Sequence, residues 1–83
     1  MIDVLHIVRH RADDAALDQA RRGGQAHALL LLGDAVASCP PAGVRCFHSQ
    51  ADAAARGVRP PGEGLADAAV LDLIFSAHRV VSW

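Results

Sequence analysis

The chain has 83 residues, 52% of them hydrophobic and 20% charged, with eight arginines, no lysine and nine acids for a net charge of −1. That length makes one domain, residues 1–83, whose core is too small to absorb so much apolar surface, so association with other chains is expected. Near-neutral charge excludes a basic field for direct nucleic-acid binding. No stretch reaches the roughly 20 apolar residues of a membrane span and no signal peptide opens the chain, which predicts a cytoplasmic location.

The first predicted strand is Ile2 to Val8, a near-continuous apolar run with His6 inside it, ending at Arg9-His10-Arg11. A helix follows. Asp13 and Asp14 sit in its first turn, Ala16, Leu17 and Ala20 share one face, and Arg21-Arg22 meet its carbonyl end before Gly23-Gly24. Ala26 to Leu32 is the second strand, fenced by glycines and closing at Gly33-Asp34. A run this apolar, lasting one strand length, reads as buried on both faces, which requires a parallel sheet covered by helices. Asp34 to Ser38 makes one helical turn before Cys39-Pro40-Pro41 breaks it. Val44 to His48 is a short third strand, and a small helix runs from Gln50 to Arg56, ending at Gly57. The segment Arg59 to Gly64 reads as irregular, with little room for a fourth strand between Gly57 and Leu65. Asp67 to His78 is the clearest helix, with Val70, Leu73, Ile74 and Ala77 at i, i+3, i+4 and i+7. Val80, Val81 and Trp83 form a last strand. The expected fold is therefore α/β: a small, open, mostly parallel sheet of four to five strands with helices on both faces and right-handed crossovers.

Four segments in this order resemble the DsrH/TusB family of small sulfur-relay subunits. Val4-Leu5-His6-Ile7-Val8 is similar to the family's opening strand, and Leu30-Leu31-Leu32-Gly33-Asp34-Ala35-Val36 to its apolar strand ending in an acid. Asp52-x-x-Ala55-Arg56-Gly57 resembles its Asp-Leu-x-Ala-Arg-Gly segment, and Asp72-Leu73 through Val80-Val81-Ser82-Trp83 its last helix and Trp-terminated end. The chain departs from the family at Arg11-Ala12, where a Ser-Pro pair is usual. It departs again at Ala35, where Gly is common, and at Gln19-Ala20-Arg21, where some members carry a cysteine. The resemblance implies a non-catalytic subunit that docks with DsrE/TusD-like and DsrF/TusC-like sisters in a heterohexamer and faces a TusE/DsrC-like sulfur acceptor. It also implies a pathway of tRNA wobble-uridine 2-thiolation or of sulfur oxidation.

Persulfide relay needs an exposed, partly ionised cysteine that attacks a sulfane sulfur and later surrenders it. In the sulfur-carrying sister of this family, that cysteine stands just after the third strand, and the resemblance puts the slot near Ser49. Cys46 lies in an apolar segment and reads as core, Cys39 as a loop residue; neither has a metal-ligand spacing. A stand-alone sulfurtransferase using Cys46 or Cys39 is the alternative, and a self-associating binding protein a further one. His10, Asp34 and His48 fall at the carboxyl ends of strands, where open α/β sheets bind ligands. They form either an acid/base or metal site or, on the plainer view, a helix cap and two surface or interface histidines. No catalytic, cofactor or metal residue is assigned. Arg9-His10-Arg11 suits an acidic partner or a phosphate, or a solvated or interface turn; His6 reads as a hydrogen-bonded interior or interface group, and Trp83 is placed at a subunit boundary or in intrachain packing.

Overall fold

The computed structural model describes residues 2–10, 14–38, 43–60 and 62–83, apart from the side chain of Gln25. Five strands alternate with helices in chain order: β1 (Val4–Val8), α1 (Asp14–Gly23), β2 (His27–Leu31), β3 (Arg45–Ser49), α2 (Gln50–Arg56), β4 (Glu63–Leu65), α3 (Asp67–Ser76) and β5 (Arg79–Ser82). Short 3₁₀ turns at Gly24–Ala26 and Gly33–Ala37 complete the chain. The strands form one open sheet of order β4-β3-β2-β1-β5, in which every neighbouring pair is parallel. The α/β sheet expected from the apolar runs is thus present with five strands.

Topology decides which helix covers which face. From β1 the chain steps to β2, β3 and β4 in one direction, and right-handed crossovers put α1, the Gly33–Ala37 turn and α2 on the same side. That side packs Val8, Leu29 and Leu31 of the sheet against Ala16 and Ala20 of α1, Val36 of the turn and Ala53 of α2. The chain then jumps back across the sheet from β4 to β5, and the same handedness sends α3 to the opposite face. There Leu5, Ala28 and Leu30 meet Val70, Leu73, Ile74 and Ala77. Alanine at the contact positions of α1 and α2 lets those short helices lie close to the strands.

Strand and helix ends lie within two residues of the sequence expectation. The helix α3 stops at Ser76 rather than His78, because Ala77 turns to extended backbone and the His78 N–H is captured by the Ile2 carbonyl at 3.2 Å. The irregular reading of Arg59 to Gly64 is corrected. Glu63–Leu65 forms β4, in register with Phe47, His48 and Ser49 of β3. Two glycines make this possible: Gly62, at φ +90°, lies with its Cα against the Cys46 carbonyl, and Gly64 lies against the His48 ring. A Pro/Gly-rich stretch read as loop is an edge strand that needs backbone contact instead of side chains. The Cys39-Pro40-Pro41 break lies outside the described residues.

Candidate functional site

Side chains at the carboxyl edge of the sheet are engaged in structure. Ser49 ends β3 and caps α2, its hydroxyl accepting from the Asp52 N–H at 3.2 Å. Asp52 accepts from the Gly33 N–H at 2.8 Å. Arg56 donates to the Asp34 carboxylate at 3.0 Å and to the Asp52 carbonyl at 3.2 Å, and Gly57 closes the helix in the left-handed conformation. This lattice ties the end of β2 to α2, which explains the Asp-x-x-Ala-Arg-Gly spacing: acid in the first turn, arginine in the last, glycine at the left-handed cap. A hollow of about 360 Å³ opens beside it, lined by Leu32, Ser49, Asp52, Asp67, Val70 and Leu71.

His10, Asp34 and His48 do not gather there. Asp34 is exposed and paired with Arg56, His10 is exposed, and His48 is buried with Nδ1 unpartnered. No group of three His, Cys, Asp or Glu among the described residues could hold a metal ion. Arg9 is exposed; Arg11 and Cys39 lie outside the described residues. Cys46 is half-buried on the α1/α2 side, its Sγ directed at the Phe47 carbonyl at 3.8 Å. Burial pushes its thiol up to about 11, so at neutral pH it is a protonated thiol and a poor nucleophile.

The structure does bring together three aromatic rings from distant parts of the chain. Trp83 Nε1 lies 3.0 Å from His6 Nδ1, and His6 Nε2 lies 2.8 Å from His27 Nδ1. An indole N–H only donates, so His6 Nδ1 must accept. The His6 proton is therefore on Nε2, where it is donated to His27 Nδ1, and the His27 proton is left on Nε2. One donor at the far end sets both tautomers. His6 is 3% exposed, and burial, then the neighbouring His27, hold its pKa below the ordinary histidine value. The rings are tilted against one another, with centroids 4.9 Å apart for His6 and His27 and 6.0 Å for His6 and Trp83. His27 also lies against Gly23, at a spot where a Cβ would collide with its ring.

Register explains the meeting. Val4 pairs with both His27 and Arg79, and His6 pairs with Val81, so His27, Val4 and Arg79 form one row across the sheet and His6 and Val81 stand in the next such row on the same face. The helix α1 packs over β1 and β2, and β5 carries no helix on that side among the described residues. A cleft of about 360 Å³ remains, lined by Val4, His6, Gln19, His27, Arg79, Val81 and Trp83. Of the two placements expected for His6, interior or interface, the chain buries it in hydrogen-bonded form, and Trp83 packs within its own chain. His27 is the residue the sequence reading passed over. Its signal was only that a polar ring opens a strand whose other residues are apolar.

Compared with protein-family models, with curated proteins and with solved structures, the chain matches none.

Proposed function

We propose that this chain is a non-catalytic subunit of a DsrEFH/TusBCD-like sulfur-relay complex, acting in tRNA wobble-uridine 2-thiolation or sulfur oxidation. Its role is to complete an assembly with DsrE/TusD-like and DsrF/TusC-like sisters and to shape the surface that meets a TusE/DsrC-like acceptor. The observation that carries the reading is Ser49. It stands at the end of β3, where the resemblance puts a carrier cysteine, and its hydroxyl is occupied as the cap of α2. A hydroxyl cannot hold a persulfide, and the half-buried Cys46, with its thiol raised to about 11, does not replace it. Supporting the assembly role, α3 leaves Leu71 and Phe75 exposed on its outer side, and Phe75 is 81% exposed. Large apolar side chains in that position suit a partner surface.

Co-expression with tagged sister subunits tests the reading. The chain is expected to co-purify with them in fixed stoichiometry, and its recovery only as a free monomer in their presence overturns the proposal. Intact mass after incubation with a cysteine desulfurase and cysteine is expected to show no stable added sulfur (about 32 Da). An added sulfur lost in Cys46→Ser or Cys39→Ser would replace the proposal with a stand-alone sulfurtransferase.

A further inference from the structure

We propose that the cleft between α1 and β5 binds a small organic anion with a flat apolar body, of the aryl carboxylate class, and that His27 and Arg79 are its anion-binding pair. The inference is independent of the assembly role and concerns the opposite, amino-terminal part of the sheet from Ser49.

Three features of the cleft select this ligand. The first is charge. Arg79 lines the cleft and has no ion pair among the described residues, and none of the seven lining residues is acidic. The hollow at the carboxyl edge contrasts with it, since Asp52 and Asp67 line that one and would repel an anion. The second is a donor of fixed polarity. The indole of Trp83 forces the proton of His6 onto Nε2 and that of His27 onto Nε2, and His27 Nε2 has no partner among the described residues. His27 therefore lines the cleft with its one N–H on Nε2 while the ring is neutral. A free imidazole could present either a donor or an acceptor; this one is held as a donor.

The third feature is shape. His27 and Arg79 flank Val4 in one row across the sheet, and with parallel strands about 4.8 Å apart their Cα atoms stand about 10 Å from each other. Two long polar side chains rising on either side of a valine floor leave room for a carboxylate between them. Arg79 can grip such a group through two parallel N–H donors, with His27 Nε2–H supplying a third. Behind that row, His6, Val81 and the Trp83 ring supply an apolar and aromatic wall for a flat hydrophobic body, and Gln19 stands at the rim on α1. A pocket of mostly apolar lining with a few convergent donors is the usual form of a small-molecule site.

Trp83 is the only tryptophan of the chain, which has no tyrosine, so its emission reports on this cleft alone. Benzoate titrated into the full chain, with excitation at the red edge where benzoate does not absorb, is expected to change that emission saturably with a Kd on the order of a millimolar. Arg79→Ala, a change at an exposed position that leaves the sheet backbone bonds in place, is expected to weaken binding by about tenfold or more, and Arg79→Lys by less. Benzyl alcohol, which has the ring without the charge, is expected to bind at least about tenfold more weakly, and so is inorganic phosphate, which has charge without the ring. No saturable response to benzoate overturns the proposal. Equal binding of benzyl alcohol, or an unaltered Kd in Arg79→Ala, overturns the anion-binding role, and phosphate binding as tight as benzoate overturns the aryl class.

Discussion

An indole has one hydrogen to give and no lone pair to accept with, and that property orders three rings from opposite ends of the chain. With Trp83 donating to His6 and His6 donating to His27, the chain of bonds is complete only while both imidazoles are neutral. Protonating His6 would set an N–H against the Trp83 N–H. Burial first, and the neighbouring His27 second, hold the His6 pKa below its ordinary 6.5. The sign of the consequence follows. A histidine that titrates lower when folded than when unfolded contributes its full share of stability above pH 6.5, and that share is lost as pH falls below 6.5 toward the lowered value. Thermal melts from pH 7.5 to 5 are expected to show the midpoint falling with acid, with a shallower fall in His6→Gln. Trp83→Phe leaves His6 Nδ1 without a donor in a largely buried place and is expected to cost about 1–3 kcal/mol in urea unfolding at neutral pH. Cys46 carries the complementary prediction. A thiol raised from 9.0 to about 11 holds roughly a hundredfold less thiolate near neutrality. In a Cys39→Ser background its alkylation in the native state is expected to be about two orders of magnitude slower than in urea.

At the scale of elements, local chemistry and tertiary contact divide the work unequally. The helix α2 is almost entirely a local object: Ser49 accepts at its start, Asp52 sits in its first turn, Arg56 in its last, and Gly57 turns left-handed after it. The sequence reading placed its limits at Gln50 and Arg56, and the structure has the same limits. The strand β4 is the reverse. Its three residues carry no strand pattern of their own, and it exists because Gly62 and Gly64 let the backbone approach Cys46 and His48. Two glycines with positive φ separate the two kinds of cause. Gly57 at φ +64° has open space where a Cβ would go, so Gly57→Ala is expected to cost about 1 kcal/mol for the backbone conformation alone. Gly62 at φ +90° would drive the same methyl into the Cys46 carbonyl, and Gly62→Ala is expected to cost at least about 2 kcal/mol and to free β4 from the sheet edge. Urea unfolding of both variants, with amide exchange on β4, measures the difference.

For the whole molecule, the asymmetry of the two faces is the governing fact. One face of the sheet is covered by α1, a 3₁₀ turn and α2, the other by α3 alone, because only the last crossover reverses direction. The helix α3 is apolar nearly all round: Leu73, Ile74 and Val70 turn inward, while Leu71 and Phe75 remain in solvent at 55% and 81% exposure. A helix with that pattern is at rest when both sides are covered. Phe75→Glu is expected to leave the stability of the isolated chain within about 0.5 kcal/mol, since the side chain is already exposed. If the proposed assembly forms, it is expected also to weaken association with the proposed sister subunits by about tenfold or more, read by co-purification and sedimentation. No helix among the described residues is long and apolar enough to cross a membrane.

What the residue order settles by itself is everything that depends on near neighbours: the apolar runs at Val4–Val8 and His27–Leu31 that demand a parallel sheet, the alternation of strands with helices, and the caps of α2. What only the folded chain decides is which side chains share a row. His6 meets His27 across 21 residues and Trp83 across 77, through the pairing of β1 with β2 on one side and β5 on the other. A one-residue slip in either pairing would send one of those rings to the other face while leaving the apolar pattern unchanged. Because strand period is two and the runs are apolar on both faces, no local signal distinguishes the registers, and the packing of α1 and α3 against opposite faces selects between them.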